Sequence, residues 1–120
     1  MNKLIILSLL LNIVVLVPVC AGLLLDATWA EASYGEATPA RGILLSVYLS
    51  ILIASVGLLF FRDPMPVAAL LSVQVIYKLT TPWTVGTFQN PVVISNLGIA
   101  AFHVFTIVAI WRVLSHSVRA

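Results

Sequence analysis

Gln74, Tyr77 and Lys78 stand three and four residues apart, and Asn96, His103 and Thr106 stand seven and three apart. Each set falls on one face of a helix. Both stretches are otherwise apolar enough to sit in lipid, so amide, phenol, ammonium and imidazole groups there call for a reason. An ionisable residue deep in a bilayer costs a few kcal/mol when charged, and it faces a bundle interior, a cavity or a partner. His103 lies near the middle of its apolar segment, where it either hydrogen-bonds a neighbouring helix as a neutral ring or handles protons or a ligand. Lys78 reads as an anchor that snorkels to the interface or as a counter-ion. If the two segments pair antiparallel, Gln74 and Lys78 lie level with Asn96 or slightly outside it. That makes a polar lining with His103 at its floor and Asn12 of the first segment joining from the opposite side.

Other chemistries find no support in the residues. A haem needs axial ligands, and with His116 far along the same segment a second histidine has to come from another copy or subunit, so no cofactor is expected. The single cysteine, Cys20, reads as a small core residue, and no Cys/His spacing suits a metal. No phosphate loop, HExxH helix or GxSxG elbow occurs, and all four acidic residues lie in loops, so no catalytic residue is assigned. Basic residues are scattered singly, which argues against nucleic acid as a partner.

The elements that must position these groups follow from composition. Hydrophobic residues make up 62% of the chain and charged residues 8%, against about 25% charged in a soluble domain. Mean hydropathy is +1.15. The expectation is one all-α membrane domain over residues 1–120, an antiparallel up-down four-helix transmembrane bundle with spans at 4–25, 42–61, 65–80 and 92–112. The first segment has a basic residue ahead of its apolar run, as a secretory signal does, but the run is longer than a signal core and reads as a retained span. The third is the shortest, at about 24 Å against a hydrocarbon core of about 30 Å. Pro64 and Pro66 suit its first turn, Pro82 and Pro91 bracket the loop that follows, and Pro18 kinks the first span.

Charge sets the orientation. Lys3, Arg62, Arg112 and Arg119 share one side, and Arg41 and Lys78 lie opposite with Asp26, Glu31 and Glu36. The excess places both termini in the cytoplasm. On the second segment Gly42, Ser46, Ser50 and Ala54 recur every four residues, a stripe that lets another backbone approach closely, whether from this chain or from another. Tyr48 and Ser55 lie on a different face, where a hydroxyl can bond across a bundle.

The run "YGEATPARG", with Tyr34 and Gly35 ahead of Arg41 and Gly42 at the start of the second span, together with the order of spans, resembles the small four-helix bacterial membrane proteins grouped as DoxX-like. The resemblance implies a multi-pass protein of the bacterial inner membrane and carries over architecture only. Two functions fit the residues. One is an accessory or structural subunit of a membrane complex, or a homo-oligomer, with the bilayer and other membrane subunits as partners. The other is a binding or transport module for a quinone, lipid or small metabolite, its pocket built from Gln74, Tyr77, Lys78, Asn96, His103 and Thr106.

Overall fold

The computed structural model describes residues 2–119, with side chains described as far as Ser115. The side chains of His116 and Arg119, which entered the haem and charge arguments above, lie outside the described residues. The described residues are all-α, with five helices among them: α1 (Asn2–Leu24), α2 (Thr28–Tyr34), α3 (Pro39–Phe60), α4 (Pro64–Val85) and α5 (Pro91–Arg119). Among the described residues three segments are long and apolar enough to cross a membrane: α1, α3 and Pro91–Ser115 of α5. The fourth long helix, α4, is of spanning length, but its polar residues lower its hydropathy and it is not among them.

Local sequence sets the boundaries. The starts of α3, α4 and α5 share one device, a capping side chain followed by proline at the first helical position. Thr38 Oγ1 accepts from Arg41 N at 3.3 Å, Asp63 Oδ1 from Met65 N at 3.2 Å and Asn90 Oδ1 from Val92 N at 2.8 Å. Each satisfies an orphan donor, and Pro39, Pro64 and Pro91 have none to lose. At the other end of α4, Gly86 takes the left-handed conformation (φ 88°) that closes a helix at no steric cost.

Two elements differ from the sequence expectation. The connection after the first span holds a short helix, α2, and α4 runs on to Val85 through Pro82 where a loop was expected. A proline inside a helix removes the hydrogen bond to the carbonyl four residues back, here that of Lys78. The Thr81 hydroxyl donates to that carbonyl in its place, so the backbone stays satisfied and the helix continues. At 22 residues α4 is about 33 Å long, longer as a helix than the apolar segment 65–80 read from the sequence.

In packing, α1 lies along α3 and α4 along α5, and the two hairpins meet chiefly where α1 faces α5. Neighbouring long helices run antiparallel: Ser8 and Asn12 of α1 meet Thr106 and His103 of α5, and Lys78 of α4 meets Asn96 of α5. The start of α1 and the end of α5 therefore lie at one end of the bundle. Near that end Ile5, Leu9, Val67, Leu71 and Ile110 form one apolar cluster. Toward the other end Leu16, Cys20, Leu23, Ala30, Tyr48 and Ile51 form a second. Beside the latter, Gly22 lies under the indole of Trp29, which occupies the space a Cβ would need and so seats α2 on α1.

The distribution of polarity is inverted. Leu7, Val14, Ile43, Ile53, Ile76 and Phe105 are exposed, while Ser8, Asn12, Gln74, Lys78, Asn96, His103 and Thr106 are buried. In water such a surface would be a liability, and in lipid it is the expected one.

Candidate functional site

The buried polar residues fall into three groups at successive heights. The first lies among α1, α3 and α5. Asn12 and Ser8 are one turn apart on α1, so both face the same neighbour. That neighbour is His103, fully buried, whose Nε2 is 2.8 Å from Asn12 Oδ1 and whose Nδ1 is 3.1 Å from Ser8 Oγ. Asn12 Nδ2 donates to Ser55 Oγ of α3 at 3.1 Å, and Ser8 Oγ lies 2.6 Å from Thr106 Oγ1. Thr106, one turn beyond His103, also reaches the Leu4 carbonyl at 3.4 Å. One layer of side-chain hydrogen bonds thus joins three helices.

The second group lies farther from the chain ends, between α4 and α5. Lys78 Nζ donates to Asn96 Oδ1 at 3.3 Å, and Asn96 Nδ2 donates to Thr81 Oγ1 at 3.4 Å. The ammonium also sits 5.0 Å from the centroid of the Tyr77 ring, within cation–π range. Lys78 is 5% exposed, and no carboxylate pairs with it, since the ion pair found among the described residues is Arg41 with Asp26. Gln74, one turn below, donates from Nε2 to the Leu70 carbonyl at 3.4 Å. Tyr77 turns toward α3, where its ring lies 6.5 Å from that of Tyr48, and its buried hydroxyl has no hydrogen-bond partner.

The third group closes the end remote from the termini. Arg41, buried at the start of α3, donates from Nη2 to Asp26 Oδ1 at 2.8 Å and from Nη1 to the Gly35 carbonyl at 2.9 Å, and reaches the Leu23 carbonyl at 3.5 Å. One guanidinium thereby holds the end of α1, the turn after α2 and the start of α3. Its planar fork of donors suits such a junction. Asn90 Nδ2 donates to the Ser33 carbonyl at 2.9 Å, which ties the connection between α4 and α5 to α2.

The six residues of the expected pocket are therefore divided between two heights: Gln74, Tyr77, Lys78 and Asn96 in one group, His103 and Thr106 in the other. Their polar atoms are spent largely on neighbouring helices. The cavity beside α4 and α5 is elsewhere, an apolar groove of about 590 Å³ lined by Met65, Ala68, Ala69, Ser72, Ile110, Trp111, Leu114 and Ser115. None of the six lines it. On α3, Gly42, Ser46 and Ser50 are exposed and Ala54 is half-buried, and the space around Gly42 is open. The stripe faces away from the other helices, and α3 packs within the chain through Tyr48, Ile51 and Ser55 instead. Ser8 escaped the sequence reading. Its signal was its place one turn before Asn12, a polar pair on one face of an apolar run.

Comparison of the chain with protein-family models, with curated proteins and with solved structures gives no match.

Proposed function

We propose that this protein is a non-catalytic subunit of the membrane: a four-pass bundle of the bacterial inner membrane with both termini in the cytoplasm, DoxX-like in architecture, that docks other subunits or further copies of itself. The observation that carries the reading is the state of His103. Both ring nitrogens are engaged by side chains of α1, so the most chemically capable residue of the interior serves to join helices and presents no free nitrogen to a substrate. In lipid, helices gain nothing from apolar burial against each other, and interhelical hydrogen bonds with close packing supply the association. The outward stripe of Gly42, Ser46 and Ser50 then offers a second, intermolecular face of the same kind.

Native mass spectrometry from mild detergent tests this on the wild type and on Ser46→Leu. The wild type is expected as a defined oligomer or with a co-purifying subunit. Ser46→Leu is expected to lose that association while keeping its thermal stability, because Ser46 is exposed on the outward side of α3. Monomers alone in both samples would refute the reading.

A second reading rests on Lys78 and Tyr77. A buried ammonium without a carboxylate and a buried phenol without a partner are the groups a quinone, lipid or small metabolite would satisfy. A small molecule retained by the wild type and lost in Lys78→Met would favour it.

A further inference from the structure

The hydrogen bonds around His103 have a direction. Asn12 spends its Nδ2 on Ser55 and turns Oδ1 to His103 Nε2. An amide oxygen only accepts, so Nε2 carries the hydrogen, and in the neutral ring Nδ1 is the bare nitrogen. The atom facing it is the Ser8 hydroxyl, which can donate to a bare nitrogen or accept from a protonated one. In the neutral state Thr106 donates to Ser8 and Ser8 donates to Nδ1. With a proton on Nδ1, that nitrogen donates to Ser8, Ser8 turns its hydrogen to Thr106 Oγ1, and Thr106 turns its own to the Leu4 carbonyl. Two hydroxyl hydrogens rotate, and each donor along the chain from Nδ1 to the Leu4 carbonyl has an acceptor in both states. A backbone N–H or an amide NH2 at the position of Ser8 would have excluded the second state, because it cannot accept.

We infer that His103 is a reversible proton-binding site, loaded at Nδ1, in which the Ser8–Thr106–Leu4 chain reverses its polarity to hold the added charge. The proton comes from water, an N–H bond forms, and no bond between heavy atoms changes. The groups around the ring are compatible with this from three sides. From α1 come Ser8 and Asn12, from α3 comes Ser55 with Tyr48 farther out, and α5 itself supplies Thr106 and Asn96. From α4 the charged group is Lys78, held on Asn96, and its charge is the one that a proton on His103 has to tolerate. Asp26, Glu31, Glu36 and Asp63 are all exposed outside the four long helices, so oxygen dipoles, not a carboxylate, face the imidazolium. The inference goes beyond the subunit role and stands or falls separately from it.

Nitrogen-15 spectra of histidine-labelled protein in detergent test it, with the His103 signals assigned by their absence in His103→Gln. At pH 8 the hydrogen is expected on Nε2. On acidification a second one is expected on Nδ1, reversibly and with helix content unchanged. Ser8→Ala removes the oxygen that accepts from Nδ1, and should lower the proton affinity of His103 roughly tenfold, the order expected for a hydrogen bond to a charged group. Thr106→Val leaves Ser8 in place but takes away the acceptor it turns to, so a smaller loss is expected; this variant carries the test if Ser8→Ala does not fold. A hydrogen on Nδ1 at pH 8, a ring that stays neutral until the protein unfolds, or wild-type titration in the variants would overturn the proposal.

Discussion

Replacing His103 by Leu should weaken the bundle by about 1 to 2 kcal/mol, and a double-mutant cycle with Asn12 shows whether the hydrogen bonds are the cause. The substitution removes two bonds from α5 to α1, at 2.8 and 3.1 Å. Interhelical hydrogen bonds measured in a membrane protein average about 0.6 kcal/mol and reach about 1.7, so the pair contributes about 1.2 kcal/mol at the mean. Two further effects oppose each other. Asn12 Oδ1 is left without its partner, at a cost of up to about 1 to 3 kcal/mol in the protein interior. Against this, Asn12 retains Ser55 and Ser8 retains Thr106, so neither residue is stranded altogether. Asn12→Leu should cost a similar amount, because it removes the Ser55 bond and leaves Nε2 facing an apolar group. In the double variant no partner is left to strand, and its loss should fall short of the sum by about 1 kcal/mol. Reversible unfolding in mixed micelles of rising denaturing-detergent fraction measures all four proteins. Single losses that add to the double loss within about 0.3 kcal/mol would show that these residues are uncoupled and that the layer is not held by this bond.

Arg41→Leu should release the junction of α1, α2 and α3 at a cost on the order of 2 kcal/mol, less than its bonds would give in full burial, because Asp26 is 56% exposed and its share is screened. Faster hydrogen exchange across residues 26–41 is the expected signature, and unchanged protection there would contradict the role given to the guanidinium. For topology, single cysteines at Glu36 and Asn2, in a Cys20→Ala background, should label from opposite sides of the membrane, position 36 from outside and position 2 from the cytoplasm. Labelling of both from one side would break the up-down order.

Of the helix starts, the sequence reading placed Pro64 in a first turn but began the second span three residues late, at Gly42 and not at Pro39, and the signal it left unused is local. Thr38-Pro39, Asp63-Pro64 and Asn90-Pro91 each pair a capping oxygen with a residue that needs no donor, and such chemistry acts over four residues whatever surrounds it. The apolar length of α1, α3 and α5 was plain, since a span is a matter of composition. Pro82 misled the reading of α4 because its effect depends on whether the orphaned carbonyl finds a donor, and the Thr81 hydroxyl supplies one. Which faces of the helices meet was decided by the tertiary structure. In a water-soluble bundle the apolar stripe marks the inside. Here both faces are apolar, and the small-residue stripe of α3 could as well have met α1 as faced outward. Only the polar side chains distinguish interior from exterior, and one turn of rotation or register changes their partners. His103 could be placed on the inner face of its helix from sequence, but its engagement by Ser8 and Asn12, and the direction of the hydrogen bonds that follows, exist only once α1 and α5 are set side by side.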